Sequence, residues 1–316
     1  MPFLTAILLA FAAAWAQAQA YPAKPVRLII PFPPGGSNDV VGRLVAAQLG
    51  ERLGQGVIVD NRGGGGGTIG INAAAKSPAD GYTLLFVSVG WPVSIALGAM
   101  PPESLQWFVP VAPVGTGPSL LVVTSSLPAN SVRELIALAK AKPGQLNAGS
   151  AGVGSFQHLA TELFRLTTGI DIVIVQYKGG GPALTDTIGG QVHMNIGSAV
   201  QNVPHVRSGK LRALGVGGPH RLAALPDVPT FAEAGVPGAE ATNWWGIVAP
   251  AGTPAAVLGK LQGEIAAIVE SPETQKRFQL EGADVLRMTP EQFAKHIAAE
   301  TDKWTRVVKQ AGIKAE

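Results

Sequence analysis

From residue 21 onward, apolar positions recur in two rhythms. Short runs of β-formers at 26–30, 57–59 and 82–87 alternate with stretches, 40–53 and 69–76, in which apolar residues return every three or four positions. The first rhythm predicts strands and the second predicts helices, so the chain opens βαβαβ. A second cycle runs through a strand at 120–123, a helix at 131–141, a short strand at 146–148 and a helix at 156–167. It continues with a strand at 172–175, a helix at 183–188 and strands at 193–196 and 211–216. An apolar run at 244–250 then precedes two amphipathic helices, 254–269 and 290–310.

Strands that alternate with helices imply an α/β fold, because crossover helices cover both faces of a mainly parallel sheet. Two cycles imply two lobes, residues 21–121 with 243–316 and residues 122–242, joined by crossings near Leu121 and Asn243. Ligands of such sheets lie beyond the carboxyl ends of the strands, and a cleft between lobes is the natural place for one.

Composition narrows the chemistry. Of 316 residues 47% are hydrophobic and 14% charged, which suits a folded core and excludes a disordered chain. The formal charge of +3 comes from scattered Lys and Arg without a basic run, so no nucleic-acid partner is expected. Cysteine is absent, which removes disulfides and thiolate chemistry. Residues 1–20 carry no charged side chain, and the apolar run 3–15 is shorter than the roughly 20 residues a membrane span needs. Ala18-Gln-Ala20 offers a small-x-small site, so a signal peptide cleaved after about Ala20 is expected, although its start lacks the usual basic residue.

Three loops share one design, with small and hydroxyl residues after a strand and before a helix. The first amides of a helix lack intrahelical partners and sit at the positive end of its dipole, ready for a carboxylate. In Gly35-Gly-Ser-Asn-Asp39, Gly36 lets backbone approach a ligand, Ser37 and Asn38 can donate, and Asp39 reads as a helix cap rather than a ligand. In Ser150-Ala-Gly-Val-Gly-Ser155 the two serines can donate, and His158 either meets an anion or orients the loop. Tyr177-Lys-Gly-Gly-Gly181 leads into a helix bearing Asp186, with Lys178 read as a solvated surface charge.

Enzyme readings fare poorly. Gly65-Gly-Gly-Thr-Ile-Gly70 fits the dinucleotide spacing but lacks the acidic residue expected about 20 positions on. Ala148-Gly-Ser-Ala-Gly152 resembles a nucleophile elbow, with Asp186 and His193 following in hydrolase order but too closely spaced. The five histidines form no metal-binding motif, so neither a metal nor a cofactor is expected.

Together these segments resemble the tripartite tricarboxylate transporter solute-binding proteins, or Bug receptors, along the whole mature chain. The resemblance rests on Tyr21-Pro-Ala-Lys-Pro25, Pro31-Phe-Pro-Pro-Gly-Gly36 with Asp39, Asp60-Asn-Arg62, Asp80-Gly-Tyr-Thr-Leu-Leu85 and Ser150–Ser155 with His158. Tyr177-Lys-Gly179, Leu225-Pro-Asp-Val-Pro-Thr230, Glu233-Ala-Gly235 and Ala249-Pro-Ala-Gly-Thr-Pro254 extend it. It implies a two-lobed periplasmic binding protein of type II-like architecture, a non-enzyme that closes around a small di-, tri- or aromatic carboxylate. Its implied partners are the permease subunits of a tripartite transporter or, as the alternative, a membrane sensor kinase, and it would act as a monomer. A serine hydrolase using Ser150 is the remote alternative. Carried over by position, the ligand-binding candidates are Phe32, Gly36, Ser37, Asn38, Asp39 and Ser88 on one side and Ser150, Gly152, Ser155, His158 and Gly180 on the other. Trp244 and Trp245 lie near the second crossing, where a ring either packs the hinge or faces an aromatic solute, and Trp91 stands in a variable region.

Overall fold

A computed structural model describes residues 21–313, so the expected signal peptide lies outside the described residues. In chain order the elements are β1 (Val26–Ile30), α1 (Ser37–Leu53), β2 (Val57–Asn61), α2 (Thr68–Ala75), β3 (Thr83–Ser88), α3 (Gly90–Ala96) and β4 (Phe108–Thr124). Next come α4 (Val132–Ala141), β5 (Asn147–Ser150), α5 (Phe156–Thr168), β6 (Val173–Gln176), α6 (Gly180–Ile188), β7 (Met194–Ser198), α7 (Ala199–Arg207) and β8 (Leu211–Gly217). The chain closes with β9 (Thr242–Pro250), α8 (Ala255–Glu270), α9 (Pro272–Leu280), β10 (Asp284–Val285) and α10 (Pro290–Ala311).

The strands form one path, β2-β1-β3-β9-β4-β7-β5-β6, with β8 and β10 also paired to β4. Its turning point is β4, which pairs with β9 from Phe108 to Pro118 and with β7 and β8 from Ser119 onward. The fold is α/β as expected, but the sheet is mixed rather than mainly parallel. β1 runs parallel to β2 and β3, and β5 parallel to β6 and β7, whereas β4 and β9 run antiparallel to their partners. The reason is topological: two strands that carry the chain between the halves need no crossover helix, so nothing forces them parallel.

Alternation along β1 divides its side chains between two cores. Leu28 and Ile30 face a cluster with Val41, Val45 and Leu49 of α1 and Leu261 and Ile265 of α8. Ile29 faces the opposite cluster with Ile71, Leu85, Val87 and Phe293. In α1 the buried Val41, Val45, Leu49 and Leu53 recur every four residues, one stripe laid on the sheet.

Elements missed by periodicity have identifiable causes. α3 is buried on almost every side, so no polar face marks it. α7 carries Pro204 inside a polar sequence. The part of β4 that pairs with β9 contains Pro110, Pro113 and Pro118, and its register shifts at Pro110/Ala112 and Pro113/Gly115, bulges at Val111 and Val114 that each follow a proline directly.

Candidate functional site

Between the halves lies a small cleft lined by Phe32, Gly36, Ser37, Asn38, Ser88, Ala151, Ser155, Phe156, Gln157, Gly180, Gln201 and Asn243. None of these side chains is ionisable, so its polarity comes from neutral donors and acceptors alone. Three helices begin at this cleft. Gly36 is the N-cap of α1, Ser155 of α5 and Gly179 of α6. The free first-turn amides and the positive ends of three dipoles therefore converge on one small volume, an arrangement that favours an anion without a cation.

The first loop is braced from behind. The Asp39 carboxylate accepts from the Gly35 amide at 3.1 Å, from Arg43 Nε at 2.9 Å and from Asn61 Nδ2 at 2.9 Å. Asn61 Nδ2 also donates to the Phe32 carbonyl at 2.9 Å, and Arg43 grips Asn61 Oδ1 at 2.8 Å. Asp39 is buried and lies off the cleft lining, with its carboxylate engaged by the loop. It is not the cap either, because α1 starts at Ser37 and the N-cap is Gly36, whose extended backbone (φ −84°, ψ 169°) begins the helix without a side-chain bond.

A directed hydrogen-bond chain ends at Ser88. Trp245 Nε1, which can only donate, gives its proton to Asn38 Oδ1 at 3.1 Å. That fixes the amide, and Asn38 Nδ2 donates to Ser88 Oγ at 3.1 Å. With Ser88 Oγ already accepting from Asn38, its own proton does not point at Asn38, and Ser88 lines the cleft as a hydroxyl that can still donate. Asn243 is fixed similarly. Its Oδ1 accepts the Trp244 amide at 3.0 Å, leaving Nδ2 as the donor end.

On the facing side, Ser155 Oγ caps α5 by accepting the His158 amide at 3.2 Å. His158 lies off the cleft, and its Nδ1 accepts the Gly154 amide at 3.3 Å with Nε2 turned to Glu162 at 4.0 Å. These contacts tie it to the loop, and it is not among the cleft-lining residues. Ser150 and Gly152 also fall outside the lining. Ser150 is fully buried at the end of β5, and Gly152 lines an adjoining crevice with Gly64, Gly66, Tyr177 and Lys178. The shift by one residue has a simple origin: the strand ends at Ser150, and the chain turns so that Ala151 reaches the cleft instead. Tyr177 donates to Asp186 Oδ2 at 2.7 Å, and burial with this bond pushes its phenol up to about 12.

The three tryptophans stand apart from the cleft lining. Trp91 donates to Ser104 Oγ at 3.3 Å, and Trp244 packs against Phe293 and His296, while Trp245 holds Asn38. The residues that sequence reading passed over are Ala151, Phe156, Gln157, Gln201 and Asn243. Gln157 sits in the first turn of α5 beside the glycine loop, a position that the helix-end argument itself could have flagged. Gln201 lies in α7, an element that periodicity did not detect.

The hydrolase constellation is not assembled. His193 Nδ1 accepts the Asn147 amide at 2.9 Å, Asp186 is held by Tyr177, and Ser150 Oγ meets neither.

The two sides touch backbone to backbone. A Cβ on Gly181 would overlap the Pro34 carbonyl oxygen, and one on Gly66 (φ +63°) would lie 2.5 Å from the Val153 carbonyl. Loops of the two sides therefore pack closely against one another beside the cleft.

Residues 41–313 match the tripartite tricarboxylate transporter family receptor. The chain is 42% identical over 305 residues to the BugT protein of Bordetella pertussis, covering 96% of this chain and 94% of that protein. It is similar to a Rhodopseudomonas palustris protein solved with adipate (TM-score 0.89, 38% identity, 93% and 99% of the two chains). The R. palustris protein MatC, solved with malate, superposes with a TM-score of 0.86 at 31% identity over 91% and 100%. The chain thus belongs to the tripartite tricarboxylate transporter receptors of the Bug type.

Proposed function

We propose that this protein captures a small carboxylate in the periplasm and delivers it to the permease subunits of a tripartite tricarboxylate transporter. The observation that carries the reading is the cleft itself, where three helix N-termini, the Ser88 proton and the Asn243 amide supply donors and no charged side chain competes. Adipate and malate in two relatives of the same fold support the solute class. Residues 21–121 with 243–316 form one lobe and 122–242 the other. They hinge where β4 and β9 cross, and the acid holds them closed. The receptor acts as a monomer and carries out no chemistry on its cargo. It reaches the periplasm through residues 1–20, so the mature chain starts near Tyr21.

Native mass spectrometry of freshly purified mature protein tests this directly, with a retained organic acid as the expected result. Thermal melting against a carboxylate panel provides the second arm, since a ligand that binds only the folded state raises its melting temperature. A stripped protein that ignores every acid in the panel overturns the reading.

A further inference from the structure

A second hydrogen-bond chain reaches the cleft with the opposite polarity. It begins at the Gly180 carbonyl, which can only accept. Gln201 Nε2 donates to that oxygen at 2.9 Å, which fixes the Gln201 amide. Gln201 Oε1 then faces Gln157 Nε2 at 3.2 Å and accepts from it. The remaining atom of the chain is Gln157 Oε1, and it has no partner among the described residues. Gln157 lines the cleft, is 4% exposed, and cannot exchange its two amide ends without setting Oε1 against Oε1. The chain from Trp245 ends in a donor, and the chain from Gly180 ends in an acceptor.

A carboxylate offers only lone pairs and cannot satisfy a buried acceptor, whose desolvation stays uncompensated. We infer that Gln157 is a specificity-determining residue that selects carboxylates bearing a hydrogen-bond donor, a hydroxyl or an ammonium group, over unsubstituted acids of the same length. Gln201 is the positioning residue that holds it in this sense. The inference rests on the carboxylate reading of the same cleft and deepens it.

The test is calorimetry on the ligand-stripped mature protein with matched pairs: succinate against malate and aspartate, and tricarballylate against citrate. At least one donor-bearing acid should bind about tenfold or more tightly than its unsubstituted partner, because a site built around a polar group rejects the analogue that leaves it unpaired. Gln157→Met, near in shape, should bring that ratio to within about threefold of unity. Gln201→Met frees the Gln157 amide to turn and should lower the ratio too, whereas a merely structural loss would weaken both members equally. It also serves if Gln157→Met does not fold. Equal affinities in the wild type, or a ratio that survives in both variants, overturn the inference while leaving carboxylate capture intact. No binding by any acid overturns both.

Discussion

Trp245 Nε1 lies 3.1 Å from Asn38 Oδ1, and through that one bond a fully buried ring in β9 fixes the Asn38 amide so that Ser88 Oγ accepts from it and keeps its own proton free to donate elsewhere. Asn38 is otherwise ambiguous, since its amide could offer Ser88 either end. Trp245 removes the ambiguity because an indole nitrogen only donates.

Replacing Ser88 by Ala removes the terminal donor. Affinity for the retained acid should fall about 10- to 100-fold, which corresponds to the roughly 1.5–3 kcal/mol of a hydrogen bond to a charged acceptor. Trp245→Phe should weaken binding to a comparable degree although Trp245 does not line the cleft. The freed Asn38 amide can turn, and the Ser88 proton then points at Asn38 instead of the solute. Calorimetry well below each melting temperature separates this from lost core packing. Unchanged affinity in Trp245→Phe would show that the relay does not set polarity.

The fold was largely readable from the alternation of short strand runs with helical periodicity, because both rhythms report burial directly. The crossing strands were harder to read. The prolines and bulges of β4 look like a loop to any periodicity test, and whether β9 runs parallel or antiparallel depends on long-range pairing. The cleft was half readable. Gly36, Ser37 and Asn38 follow from local logic, since helix starts expose amides. Gln157 and Gln201 owe their meaning to each other across 44 residues, a relation that no local window contains.

Gly181 tests closure. It sits inside the first turn of α6, where alanine is the better helix former by up to about 1 kcal/mol. The unliganded Gly181→Ala protein should therefore melt at the same temperature or higher. Its added Cβ nevertheless overlaps the Pro34 carbonyl in the closed form, so ligand affinity should drop by about tenfold or more. Small-angle scattering at saturating ligand should give a larger radius of gyration than the wild type. A variant that closes and binds normally would show that the loop contact is incidental.

The lining has no ionisable side chain, which makes a pH prediction with an unusual form. For a solute whose carboxyl groups are fully ionised, affinity should stay within about twofold from pH 6.5 to 9. Screening acts on charge pairs more than on fixed dipoles at contact distance, so raising salt from 0.05 to about 0.5 M should weaken binding only slightly. A log-linear loss of tenfold or more over that range, read by calorimetry, would place an unrecognised cation at the solute.

Stability, by contrast, should depend on pH through His296. Burial lowers its pKa below the ordinary 6.5, Glu300 opposes and Lys303 reinforces that shift, and the ring packs against Trp244 and Phe293. In the window below about 6.5 the unfolded chain binds a proton that the folded chain refuses, so unfolding takes up protons. Stability therefore rises with pH through this window and is lost as pH falls through 6.5 toward the folded value. His296→Leu, which keeps an apolar contact with Trp244, should flatten the fall in melting temperature between pH 7 and pH 5. A residual slope is expected from His205, whose pKa is also lowered by burial and by Lys210. If the slope in His296→Leu matches the wild type, the acid sensitivity arises elsewhere and α10 docks independently of this titration.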